Sequence, residues 1–209
     1  MLEAILTFLP RAIAQGTPLL FGSTGEIITE KSGHLNLGIP GIMYVGALSG
    51  VIGAFLYEQS LPNPEAMVPF LAVLIPTAFC LIGSLLMGLL FCFLTVTLRA
   101  NQNVTGLAMT TFGVGMMKFI ISKIRPLQYM YALDYFRFPF ADRTDSLKYW
   151  GVMVYLAVVV AIVAALLLSR TRVGLHLRAV GENPNTADAV GINVTKYKYI
   201  VTCVGCMIA

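Results

Sequence analysis

Charge is what this sequence has least of. Asp, Glu, Lys and Arg make up 11% of its residues, where soluble domains carry roughly 25%. No charged side chain interrupts Leu37 to Tyr57, Ala66 to Leu98, or Trp150 to Ser169. A helix of about 20 apolar residues crosses a bilayer core, so each run is long enough to span. Val104 to Ser122 is a further, weaker span, broken only by Lys118, whose long stem suits snorkelling toward the end of its helix. Runs this long leave a soluble all-α protein no polar outer face, which excludes that class.

Other absences narrow the function. No basic run exists to hold nucleic acid, although the net charge is +4. The opening "MLEAILTFLP" lacks the basic n-region and small-residue cleavage site of a signal peptide. No G-x-x-x-x-G-K-[ST] phosphate loop occurs, so this chain has no nucleotide site of that kind. His34 and His176 are the only histidines; both lie in polar segments and read as surface or packing residues. Ser84 and Ser122 have no base at helical reach, so no intramembrane hydrolase is visible. Of the four cysteines, Cys203 and Cys206 form "CVGC". In an apolar helix, small residues at i and i+3 share one packing face, which accounts for the spacing without redox or metal chemistry.

What is present is punctuation. Leu2 to Gly22 is apolar but carries Arg11, Gln15 and Pro18, and reads as a tilted or broken helix. In "GSTGEIITEKSGHLNLGIPGIM", Ser23 and Glu26 have capping-box spacing, which predicts a short helix closed by Gly33. Pro40 suits the first turn of the next span. About five complete spans are expected, with a truncated sixth in "YIVTCVGCMIA", so the chain reads as a fragment of a longer protein.

The least expected stretch is "RTRVGLHLRAVGENPNTADAVGINVTKYK", residues 170–198. "LHLRAV" is a short amphipathic helix ended at Gly181, where the corner between the two short helices needs a residue free of side-chain constraint. Asn183 before Pro184 reads as an N-cap with proline at the first helical position. Gly191 is placed for a left-handed C-cap, and Thr195 for the cap of the next helix. Alternating sides puts this segment on the same membrane face as the turns near 30 and 100. The turns near 60 and 125–149 fall on the other. Segments 170–198 and 123–149 each hold five Lys or Arg, so the positive-inside rule supports a cytoplasmic first face only weakly.

"GLHLRAVGENPNTADAVGINVTKYK" resembles the cytoplasmic coupling segment of bacterial ABC-transporter permeases of the simple-sugar and nucleoside importer class. "TPLLFGSTGEIITEKSGHLNLGIPGIMYVGAL" is similar to that family's N-terminal signature, and "NQNVTGLAM" to the motif before its next helix. The three occur in the family's order and together cover essentially the whole chain. Pro40 stands where the family usually has glutamate, and Thr186 where alanine is common.

The resemblance implies an all-α, polytopic transmembrane helical bundle, a single permease domain over 1–209 with a cytoplasmic two-helix coupling segment at 170–196. It implies a multi-pass protein of the bacterial inner membrane that forms the pathway for a nucleoside, simple sugar or related polar solute. It is not itself an enzyme and holds no metal or cofactor. ATP with Mg belongs to a partner ABC ATPase. The other partners implied are a second permease subunit, identical or not, a periplasmic or lipid-anchored substrate-binding protein, and membrane lipid. In the coupling segment Leu175, Leu177 and Val180 are candidate apolar contacts for the ATPase, and Arg178 for its acidic rim or for a headgroup. Gly181, Glu182, Asn183 and Pro184 form the corner. Candidate pathway residues are Asn36, Asn101, Gln102, Asn103, Thr105, Thr110 and Thr111, with helix capping the competing role for Asn36 and Asn103. The aromatic run "YMYALDYFRFPF" fits an interfacial belt better than a base-stacking surface, and 123–149 is expected outside, against the delivering protein. An energy-independent channel or facilitator is the alternative, for which the "GENPN" corner has no partner.

Overall fold

A computed structural model describes residues 2–61, 67–123 and 152–209. Among these the chain is all-α. The helices are α1 (Leu2–Glu30), α2 (Ile39–Gln59), α3 (Pro69–Cys92), α4 (Gln102–Lys123), α5 (Val152–Arg170), α6 (Arg172–Glu182), α7 (Pro184–Ala189) and α8 (Val194–Ile208). Helices α2, α3 with its extension, α4 and α5 are long and apolar enough to cross a membrane. Helix α1 runs for 29 residues, and the 15 residues of α8 reach about 22 Å, short of a roughly 30 Å core. Four of the five complete spans expected are thus apolar helices of membrane length among the described residues, and the 29-residue α1 stands in the place of the remaining one. The segment 124–149 and its aromatic run lie outside the described residues.

Small residues set the packing order. Helix α2 lies between α3 and α4; α3 also packs on α8, α8 on α1, and α1 on α5. Between α2 and α3, a Cβ on Gly53 would meet the Phe79 ring at 2.7 Å, and one on Gly50 would meet the Pro76 carbonyl at 3.2 Å. On the other side of α2, Gly41 and Gly113 bring its backbone against that of α4. Gly205 of α8 meets Gly25 of α1 in the same way. Between helices in lipid there is no hydrophobic driving force, so such close backbone approach provides the dispersion contacts that hold the bundle. Ile42, Phe91, Met109 and Cys206 are buried in the resulting core.

The ends show where local sequence decides. Pro40 and Pro69 occupy the first turns of α2 and α3, where a missing N–H costs nothing. Helix α3 runs on into a π-helical turn, Phe93–Thr97, and Arg99 follows at φ 55°. Gly33 at φ +74° closes α1, as its position in the sequence suggests. The short helix expected from Ser23 does not exist. Helix α1 continues unbroken through it, and the Ser23 hydroxyl donates back to the Leu20 carbonyl, a bond a mid-helix serine makes when no chain break offers it an N–H to cap.

Candidate functional site

Two short helices project beyond the spanning helices and are fixed at every corner. Thr171 caps α6 by accepting from the Gly174 N–H at 3.2 Å. Asn183 ends α6 and begins α7, its side chain accepting from the Thr186 N–H at 3.2 Å. Pro184 follows in the first turn of α7. Gly191 turns the chain at φ +88°, and Asn193 caps α8 by accepting from the Lys196 N–H at 2.9 Å. Thr195, expected in that capping role, lies inside α8, because Asn193 two residues earlier starts the helix first. Thr171 and Asn193 were not singled out in the sequence; their polar side chains three residues before an amide in need of a partner were the available clue.

Gly181 departs from expectation in its reason. It lies inside α6 and is not one of the residues with positive φ. Its role is close approach: a Cβ there would collide with the Lys31 carbonyl oxygen and stand 3.1 Å from the Gly33 nitrogen. The corner itself is made by Asn183, whose φ and ψ of −147° and 92° are extended. Leu177 and Val180, expected as contacts for a partner, are 2% and 0% exposed. They seat α6 on its own protein, which leaves them no surface to offer. Leu175 is exposed, as are Arg178, Glu182, Asn183 and Pro184. His176 Nδ1 lies 3.0 Å from the Tyr197 hydroxyl, with the rings edge to face, and so ties α6 to α8.

The loop 31–38 between α1 and α2 meets that projection from the other side. Its His34 and Asn36 are each 1% exposed. His34 Nδ1 is 3.3 Å from the Thr202 hydroxyl on α8, and its ring meets Phe91 of α3 edge to face. Burial, with Lys198 adding like-charge repulsion, lowers the His34 pKa to about 4; the ring is neutral at physiological pH. The Asn36 N–H donates to Glu26 Oε1 at 3.0 Å, and its side chain accepts from the Gly38 N–H and reaches Cys206 Sγ. Burial and the neighbouring Glu30 raise the Glu26 pKa, against the Asn36 bond that lowers it.

Helix α4 closes the arrangement. The Leu35 N–H donates to Gln102 Oε1 at 3.1 Å, and the Thr110 hydroxyl donates to the Leu37 carbonyl at 2.9 Å. Of the candidate pathway residues, Asn36, Gln102 and Thr110 therefore meet around one loop, holding backbone. Asn101 caps α4 through the N–H groups of Asn103 and Val104, the role considered for Asn103. Thr111 bonds the Leu107 carbonyl one turn back, Thr105 is buried, and Asn103 is exposed in the first turn. The clefts between helices are lined largely by other, apolar residues. One of about 530 Å³ includes Gly50, Pro76, Ser84, Met153 and Met207. Another of about 470 Å³ lies between α5, α6 and α8. The C-x-x-C pair packs on Gly88 of α3, and all four cysteines are free thiols. No cluster of three metal-ligating side chains occurs among the described residues.

An apolar helical bundle with at least four membrane-length helices and a capped, polar two-helix segment defines a polytopic helical membrane protein. The family described as the permease component of the branched-chain amino acid transport system matches residues 8–209, and the chain belongs to that family. It is similar to the nucleoside ABC transporter permease protein NupC of Lactococcus lactis, 33% identical over 202 residues, or 88% of this chain and 58% of the relative. It is similar also to the guanosine ABC transporter permease protein NupQ of Bacillus subtilis, at 30% over 96% of this chain and 63% of the relative. A putative glucose ABC transporter permease protein, TsgC13 of Haloferax volcanii, is 28% identical over 92% of this chain and 57% of its own. The chain spans about three fifths of the length of these relatives. No solved structure matches it significantly.

Proposed function

We propose that this chain serves in a permease subunit of an ABC importer in a bacterial inner membrane. It forms part of the pathway for a nucleoside and takes its energy from ATP and Mg bound by a separate ATPase. The observation that carries this reading is the projection α6–α7, capped at Thr171, Asn183 and Asn193 and seated through Leu177 and Val180. A rigid body that presents Leu175, Arg178, Glu182 and Pro184 outward suits a groove on a cytoplasmic ATPase better than an interfacial anchor, which needs no fixed corner. The names of the nucleoside and guanosine relatives support nucleosides as the solute; the glucose relative keeps simple sugars as the second reading. A second permease subunit and a periplasmic or lipid-anchored binding protein complete the assembly.

The test is reconstitution of the complete permease with its ATPase and binding protein in proteoliposomes. ATP-dependent uptake of tritiated guanosine, competed by other nucleosides and not by glucose, is expected. Competition by glucose instead moves the reading to sugars. Uptake that persists without ATP and without the ATPase overturns the importer reading in favour of a facilitator.

A further inference from the structure

We propose that the loop 31–38 is the link that carries movement of α6–α7 to α4, with Gly33 and Gly181 as its joint to the projection and Gln102 and Thr110 as its attachment to the spanning helix. This rests on the importer reading above and adds residues to which that reading assigns no part.

The loop touches both ends of such a path. At one end it lies against α6 backbone to backbone: a Cβ on Gly33 would stand 3.2 Å from both the Cα and the carbonyl oxygen of Gly181. No flexible side chain intervenes there to absorb a shift. At the other end two hydrogen bonds from α4 hold loop backbone, at Leu35 and Leu37. Between them the loop is pinned to the bundle by the His34 side chain on Thr202, the Asn36 backbone N–H on Glu26 Oε1 and the Asn36 side chain on Cys206 Sγ. Buried polar contacts of this kind make a segment move as one piece, because breaking any one strands a polar group away from water. The direct chain route from α7 leads only into α8, and among the described helices α4 has its main contact with α2, which starts where the loop ends. The loop is therefore the most direct path from α6 to α4, shorter than the packed route from α8 through α3 and α2.

The experiment is a double-mutant cycle in the complete importer, with the variants Gly181→Ala at the projection and Thr110→Val at the spanning helix. The readouts are guanosine moved per ATP hydrolysed, the apparent KM for guanosine, and stimulation of the ATPase by the permease. Each variant is expected to lower the transport-to-hydrolysis ratio by roughly two- to thirtyfold, with KM unchanged. The double variant is expected to be no worse than the more severe single one, within about twofold, because a link broken at one end cannot be broken again. Effects that multiply show two independent structural lesions and overturn the proposal, as does an unchanged ratio. A raised KM for Thr110→Val overturns it by placing that residue on the solute. If Gly181→Ala fails to assemble, Thr202→Val, which removes the partner of His34, takes its place in the cycle. If the wild-type importer moves no guanosine, the proposed solute fails, and the same cycle read on ATPase stimulation alone still judges the link.

Discussion

Glycine 181 shows how one residue can be needed for a reason its sequence context does not reveal. A glycine after an amphipathic stretch suggests a left-handed corner, yet its backbone is helical and the constraint comes from Lys31, 150 positions earlier in the chain. Gly181→Val is therefore expected to overpack the joint, at about 1–3 kcal/mol, and to depress uptake while the spans still insert. Normal abundance with reduced ATPase stimulation checks this; full transport contradicts it. His34 gives a pH dependence. Its folded pKa of about 4 lies below the ordinary 6.5, so the unfolded chain binds the extra proton first. The stability it contributes is whole above about pH 6.5 and is lost as pH falls toward 4. The apparent melting temperature of the solubilised protein should drop over that window, and His34→Gln should flatten the drop. An equal fall in both proteins would remove His34 as its source.

At the scale of elements, the caps matter most where the helices are shortest. Helix α7 has six residues, too few to persist on propensity. Asn183→Ala removes the acceptor of the Thr186 N–H and should cost about 1 kcal/mol. Faster hydrogen exchange at Thr186 and earlier proteolysis within 183–193 are the expected results, with α2 to α5 unaffected. Unchanged exchange at Thr186 would mean that packing around Ala187, which is buried, holds α7 without its cap. Asn183–Pro184 and Gly191 were legible in the sequence because proline and glycine act within one turn of themselves. Thr195 and the Ser23 helix were misplaced because several polar residues in a row can each cap, and the choice among Asn193, Thr195 and their neighbours is made by where the whole helix packs.

For the molecule as a whole, sidedness is the open geometric prediction. Cysteine introduced at Asp142, outside the described residues, should react with an impermeant maleimide in intact cells. Cysteine at Val190, 76% exposed at the end of α7, should react only after permeabilisation. Three of the four native cysteines are buried, which keeps the background low. The reverse pattern would turn the projection outward and remove the ATPase from the proposal. The sequence by itself determined that this is an all-α membrane protein and that 170–198 is a polar, two-helix interruption. Uncharged runs and local punctuation depend only on the solvent and on nearest neighbours along the chain. The tertiary structure alone decided which of those residues are left exposed. It turned Leu177 and Val180 inward and left Leu175 and Arg178 outside, and it drew Asn36, Gln102 and Thr110 to one loop. The physical reason is that the contacts of Gln102, of Thr110 and of the Asn36 side chain with Cys206 join residues 67 to 170 positions apart, and a helix face acquires its partner only when other helices have taken their places beside it.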